Sequence, residues 1–332
     1  MINWGIIGCG NVTEVKSGPA FNKVNNSRLV AVMRRNRDLA EDYARRHNVP
    51  RFYTNADDLF NDKEINAVYV ATPPGSHAEY AIKSIKAGKP VYIEKPMALN
   101  YAECEKINNA ASKYGVPVFV AYYRRALPGF LKVKEMVDSG TIGRIQFIQL
   151  QLFKPATAEE KSGKPSWRVE PLISGGGHFF DLASHQLDYL DFIFGPILKI
   201  RSFAQNNASL YEAEDFVSAG FIFVNGIPAA GTWCFTVSEE SMRDSIEIFG
   251  EKGKISFSCY SFDPIVLENS AGRQEFINER PEHVQYYLID QVVKTLTGKG
   301  AAVSTGISAS RTSRVMDEVV KEYYKTKDKR QK

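Results

Sequence analysis

Six short runs that read as strands, separated by segments of helical periodicity, constrain this chain more than any other feature. They cover residues 2–7, 28–33, 51–53, 65–72, 91–93 and 116–121. Strands that are apolar along their length and alternate with helices form a parallel sheet covered on both faces. The first run breaks at once into Gly8-Cys9-Gly10. One glycine allows a tight turn, and the second lets the backbone approach a pyrophosphate. Together these features predict an α/β chain that opens with a Rossmann-type doubly wound domain over residues 1–121.

In such a sheet, ligands sit beyond the carboxyl ends of the strands. The residues just past the strands are Gly8, Gly10, Asn11 and Val12, then Arg34 and Arg35, then Thr72 and Pro73, and finally Glu94, Lys95 and Pro96. An acid after the second strand would bind a ribose 2′-hydroxyl, whereas arginines there pair with a 2′-phosphate. Arg34 and Arg35 therefore point to NADP(H) over NAD(H). Asp38 fits the first turn of the next helix, where an acid suits the dipole.

The alternation stops near Ala121. Residues 122–332 are expected to form an α+β domain for substrate binding and dimerisation, and its last helix is a candidate to pack back on the first domain. Two domains suit a chain of 332 residues. Helices are expected over 128–139, 178–194, 282–297 and 307–324, and strands over 144–153, 197–205, 216–224, 227–237, 245–249 and 254–258. Asn225-Gly226 suggests a type I′ hairpin turn. Residues 154–171 read as a loop long enough to cover a site. The sheet is expected to be largely antiparallel and open, its other face solvated or paired with a second copy in a homodimer or dimer of dimers.

A net charge of +4, with five of the basic residues in the last eight, gives no nucleic-acid signature. Four cysteines without metal-ligand spacing suggest a reducing compartment. No apolar run reaches the roughly 18 residues of a membrane span, and no signal peptide is visible. The expected location is the cytoplasm.

Two stretches can carry chemistry. Lys95, between Ile93-Glu94 and Pro96, is a candidate to polarise a carbonyl or orient a hydroxyl. Asp181 and His185 are four apart in a helical stretch, with Asp188 three further on. A carboxylate one turn from an imidazole can fix its tautomer or raise its pKa. The same residues can equally cap or bridge a helix. A metal site of His178, Asp181 and His185 is the weaker reading, since the set lacks a close ligand spacing.

Gly8-Cys-Gly10, Ala71-Thr-Pro-Pro-Gly-Ser-His77, Glu94-Lys-Pro96 and Gly175-Gly-Gly-(x)3-Asp181-(x)3-His185 occur in that order. With Arg125-(x)2-Pro128 and Ser304-Thr-Gly306, the chain resembles the glucose–fructose oxidoreductase / inositol dehydrogenase / MocA (Gfo/Idh/MocA) family over nearly its whole length. The resemblance implies that Lys95 lies near the nicotinamide and the substrate's reacting oxygen. It implies that Asp181 and His185 bind substrate and transfer the proton, and that Lys95-Pro96 is a candidate cis bond. It further implies that Thr72, Pro73 and His77 border the dinucleotide. Trp167 and Arg168, on the long loop, would close over the nicotinamide end, as in members that use NADP and act on sugars. Thr13 departs from the usual third glycine or alanine, which bears on helix packing at the pyrophosphate. The expected activity is NADP(H)-dependent oxidoreduction of a sugar, polyol or related carbonyl compound, with no metal. Two alternatives are a reductase for a non-sugar diol or bilin and a non-catalytic NADP(H)-binding sensor.

Overall fold

The structure, a computed structural model, describes residues 1–330, the last four as backbone only. It divides into two compact units: Met1–Leu127 with Pro281–Ser310, and Pro128–Arg280 with Arg311–Lys332. The first unit thus runs past Ala121 and reclaims a segment from the far end of the chain. The reason is visible in its bonds. After the sixth strand, Arg125 Nη1 donates to the Val303 carbonyl at 3.3 Å, and Ser304 Oγ donates to Val120 O at 2.7 Å.

The first unit holds β1 (Ile2–Ile7), β2 (Ser27–Met33), β3 (Arg51–Tyr53), β4 (Ala67–Val70), β5 (Val91–Ile93) and β6 (Val118–Val120). They form a six-stranded sheet in the order β3-β2-β1-β4-β5-β6, with every pairing parallel. The order reverses between β1 and β4, which opens a crevice at their carboxyl ends. The apolar side chains on β1, β4 and β5 are buried on both faces, Trp4, Tyr69 and Tyr92 among them. Burying each large apolar side chain contributes about 1.5–3 kcal/mol. The covering helices start and stop where their caps dictate. Asn36 accepts the Leu39 N–H at 3.0 Å ahead of the helix Arg37–Arg46, and Gly115, in the left-handed region at φ 65°, ends Tyr101–Tyr114. Asp38 lies in the first turn of its helix, as expected.

The second unit contains β7 (Ile145–Phe153), β8 (Ile197–Gln205), β9 (Phe216–Phe223), β10 (Pro228–Cys234), β11 (Arg243–Gly250), β12 (Gly253–Phe257), β13 (Ile265–Asn269) and β14 (Gly272–Phe276). They form an eight-stranded sheet in the order β14-β13-β12-β11-β7-β10-β9-β8. Only β7 and β10 pair in parallel. Alternation along β7 buries Ile148, Leu150 and Leu152 on the face that holds the helix Ser184–Phe194, itself buried nearly all round. Trp233 Nε1 donates to Gln186 Oε1 at 2.7 Å and pins that helix to β10. On the opposite face Phe147 stacks on Phe249 at 4.3 Å while staying 42% exposed.

Several local expectations needed correction. The β9–β10 turn is not type I′, because among its residues only Gly226 has a positive φ, 83°. Strand bonding resumes at Ile227, whose carbonyl accepts from Phe223 N–H at 3.0 Å, which makes a three-residue loop with a glycine bulge. β13 and β14 extend the sheet beyond the strands expected from the sequence, and β14 is a polar, exposed edge strand with no burial pattern to mark it. Residues 154–171 hold a helical turn, Ala158–Lys161, with a capping box between Thr157 and Glu160. The last helix continues past Tyr324 to Arg330. Of the basic tail read from the sequence, Lys332 lies outside the described residues. The helix expected over 178–194 begins instead with a π turn, Phe179–Ala183, before the α-helix Ser184–Phe194.

Candidate functional site

In the first unit, the chemistry gathers on loops that leave β1, β2, β4 and β5. Gly8 adopts φ 92°, and a Cβ there would lie 2.7 Å from Thr72 Cγ2 and 2.8 Å from Thr72 N. Only glycine lets the β1 and β4 loops approach so closely. Gly10 faces open space and heads the short helix Asn11–Val15 without any side-chain cap. Thr13, at the third position of the fingerprint, is fully buried and donates its hydroxyl to the Gly10 carbonyl at 2.8 Å. Its own carbonyl accepts from Tyr43 at 2.8 Å. The departure from glycine is therefore absorbed inside the turn, which it braces. Burial pushes the Cys9 thiol up to about 11, so this cysteine stays protonated and is no nucleophile.

Arg34 is half-buried and reaches back over the turn, with Nη1 donating to the Cys9 carbonyl at 3.2 Å. Arg35, next to it, is exposed. His77 does not face solvent. Its ring is inaccessible and lies between two carbonyls, Thr72 O at 2.7 Å and Pro96 O at 3.0 Å. Burial holds its pKa below the usual histidine range in spite of those carbonyls. His77, which the resemblance places beside the dinucleotide, ties together the loops that follow β4 and β5.

Glu94 is also turned inward. Tyr69 donates its hydroxyl to Glu94 Oε1, Gln285 Nε2 donates to the same oxygen at 2.5 Å, and the Lys95 N–H donates to Oε2 at 3.2 Å. Gln285 in turn accepts from Tyr92 at 2.9 Å, and its backbone N–H donates to Lys16 O at 3.2 Å. Burial and then the Glu94 charge raise both tyrosines well above their ordinary pKa. The carboxylate thus orients the turn that carries Lys95, and Gln285 was invisible in the sequence because it comes 191 residues later. The Lys95-Pro96 peptide is cis, and Lys95 is half-buried.

The second unit presents a different set. Gly177 sits so tightly that a Cβ would lie 2.8 Å from both Ala213 Cβ and Glu214 O. Its N–H donates to the buried Glu214 carboxylate at 3.1 Å. Asp181, within the π turn, pairs with Arg168 Nε at 3.4 Å, and that guanidinium lies 4.6 Å over the Trp167 ring. His185, one step into the α-helix, is 3% exposed and lies 6.3 Å from the Tyr260 ring in an edge-on arrangement. Asp188 is engaged elsewhere, accepting from Thr312 at 3.3 Å. His178 pairs with Glu160 at 2.6 Å and so anchors the long loop. Burial raises the Glu160 carboxyl, but the His178 and Thr157 bonds outweigh it and bring the pKa below the ordinary value. Among the described residues no group of three or more His, Cys, Asp or Glu could hold a metal ion. Glu160 could have been found from the Thr157-(x)2-Glu spacing. Tyr260 and its support, Asp244, carried no sequence signal.

Residues 2–122 match the family model for the oxidoreductase family, NAD-binding Rossmann fold, and residues 130–256 match the GFO/IDH/MocA C-terminal domain. Oxidoreductase P35 of Formosa agariphila is 43% identical over 319 residues, 95% of this chain and 97% of its own length. Myo-inositol 2-dehydrogenase of Thermotoga maritima is 26% identical over 278 residues, 81% of this chain and 78% of its own. Among solved structures, a levoglucosan dehydrogenase complexed with NADH and levoglucosan superposes with a TM-score of 0.86. It is 21% identical and covers 98% of this chain and 97% of its own, a likeness of fold. No helix among the described residues is long and apolar enough to cross a membrane.

Proposed function

The chain belongs to the glucose–fructose oxidoreductase / inositol dehydrogenase / MocA family and is an NAD(P)-binding oxidoreductase, and on that premise we propose that it uses NADP(H) to interconvert a hydroxyl and a carbonyl on a sugar or polyol. The observation that supports this most is that Lys95 leaves β5 beside β4 and β1, whose loops hold Thr72 and the glycine turn. Those loops fit a dinucleotide: Gly10 faces open space, and the helix after it begins without a side-chain cap. When bound, the nicotinamide supplies the hydride acceptor or donor.

The chain's residues do the rest. The Lys95 ammonium donates to the substrate oxygen and polarises it. A ring nitrogen of His185 takes the hydroxyl proton in oxidation and returns it in reduction. Asp181 orients both the imidazole and a neighbouring substrate hydroxyl, with Arg168 holding the carboxylate in place. Arg34 and Arg35 receive the 2′-phosphate. We also assign a second copy of the chain to the open face of the eight-stranded sheet, where Phe147 and Phe249 stack half-exposed. A monomer mass by light scattering would remove that assignment. With no disulfide joining the four cysteines, the cytoplasm is the proposed location.

Titration of the pure protein with NADPH and NADH tests the cofactor. NADPH should bind at least about tenfold tighter, the scale of one charge-assisted contact, and Arg34→Ala with Arg35→Ala should abolish the difference. Equal or tighter NADH binding overturns that choice. Hydride exchange across a panel of aldoses and polyols tests the chemistry, and tight binding without exchange would favour a sensor.

A further inference from the structure

We infer that Tyr260 is a positioning residue for Asp181 and His185, acting on the π turn that sets the angle between them. The inference rests on the reading of those two side chains as the groups that handle substrate and proton.

A π turn closes its hydrogen bonds over one more residue than an α turn. At 3.6 residues per α turn, one extra residue rotates the downstream helix by roughly 100° relative to a continuous α-helix. Asp181 lies inside the π turn Phe179–Ala183, and His185 comes after it in the α-helix. Their mutual direction is therefore a property of this irregular turn. π turns are rare, and the chain around this one supplies specific contacts to it.

The Tyr260 hydroxyl donates to the Leu182 carbonyl, the peptide group between Asp181 and His185 in the chain. The Tyr260 ring meets the His185 ring at 6.3 Å and 75°. One side chain thus touches both the turn and the imidazole.

Tyr260 is itself held with unusual force for a loop residue. The Asp244 carboxylate, from the start of β11, accepts the N–H groups of Cys259 at 3.0 Å, Tyr260 at 2.6 Å and Ser261 at 3.2 Å. Ser258 Oγ accepts the Asp263 N–H at 3.1 Å and closes the loop from its other end. Between them Phe262 adopts φ 58°, a left-handed conformation that a bulky side chain takes only when its surroundings impose it. The Arg280 guanidinium lies 5.9 Å over that ring. A loop that served only to join β12 to β13 would need neither the three-fold capture of its backbone nor a strained phenylalanine beside the tyrosine.

Tyr260→Phe keeps the ring and removes the hydroxyl. In the full-length protein its melting temperature should stay near that of wild type and its NADPH affinity should be unchanged. The imidazole resonances of His185 should move by more than their linewidth, and so should the amide signals of residues 181–185. With NADP⁺ and D-glucose or myo-inositol as probes, kcat should fall about tenfold or more, as expected when a catalytic geometry is displaced by a fraction of an ångström. Asp244→Asn should shift the same resonances, and the double variant should be no worse than the more affected single one, because both act through one loop. Unchanged His185 resonances in Tyr260→Phe overturn the inference, with or without turnover of the probes. So does a drop in melting temperature with wild-type resonances in the folded protein. Asp181→Asn and His185→Ala, measured in parallel, separate the two levels. If either keeps full turnover, the reading of the pair falls and this inference with it. If both lose turnover while Tyr260→Phe matches wild type, only the inference falls.

Discussion

The turn that carries Lys95 and the turn that carries Asp181 achieve precision by different means. Lys95 comes two residues after its strand, and its loop is held by one buried carboxylate, Glu94, with donors from Tyr69 and Gln285. Asp181 sits in an irregular helical turn, supported by Arg168 from the long loop, by the close fit at Gly177, and by Tyr260 from a distant hairpin. The first arrangement inherits its geometry from a parallel sheet, so a short motif can encode it. The second is assembled from side chains far apart in the chain, so its geometry depends on tertiary contacts.

The largest effects should come from the groups proposed to touch substrate. Lys95→Ala and His185→Ala should each reduce kcat by roughly 10²–10⁴-fold, the range for lost acid–base or polarising groups, while leaving NADPH binding in place. Full turnover by Lys95→Ala in a steady-state assay would end its assignment. The contrast between the two turns can then be broken apart with glycines. Gly8→Ala forces a Cβ into the Thr72 loop at φ 92° and should cost roughly 1–3 kcal/mol together with dinucleotide affinity. Gly177→Ala overpacks against Ala213 and Glu214, with a similar cost of about 1–3 kcal/mol, but should impair turnover rather than NADPH binding. Titration of NADPH into both variants decides it; equal losses of affinity would erase the distinction.

A smaller change sharpens the role of the first platform. Gln285→Leu leaves Glu94 short of a donor and Tyr92 without its acceptor, both in the interior. About 1–3 kcal/mol should be lost in urea unfolding. An unfolding midpoint equal to wild type would show that water replaces the amide. The smallest effect belongs to Glu14, on the glycine-turn helix. Hydrogen bonds from Arg46, and then from His47 against the opposing effect of burial, lower its pKa from an ordinary 4.5 to about 2. A carboxylate depressed in the folded state stabilises above its unfolded pKa and loses that contribution as pH falls. The stability gap between wild type and Glu14→Gln should therefore be full above about pH 4.5 and shrink toward pH 2. A gap that stayed constant over that window would refute the pairing as its source.

Much of this was legible from local pattern. The six strands of the first unit, the glycine turn and the lysine after β5 all depend on residues within a few positions of one another. Where local pattern falls short, the cause is a contact or a backbone irregularity that carries no periodic signal. His77 belongs to a stretch expected to border the dinucleotide, and only the structure shows that its ring is enclosed between carbonyls five and nineteen residues away. The Asn225-Gly226 pair matched a hairpin signature, but the flanking strands close one residue later than a type I′ turn allows. Asp181 and His185 were in helical register, but the π turn between them has no periodic signal of its own.

By itself, then, the sequence determined the parallel sheet, its glycine turn, the residues at its carboxyl edge and the membership of this chain in its family. These arise from the spacing of apolar residues and glycines, because backbone sterics and burial act on neighbours in the chain. Only the tertiary structure decided that Glu94 and His77 are buried supports, that residues 281–310 belong to the first unit, and that Asp244 and Tyr260 brace the turn beside His185. Those outcomes turn on which buried polar groups find partners, and a partner 78 or 191 residues away is chosen by the packed fold rather than by any local pattern.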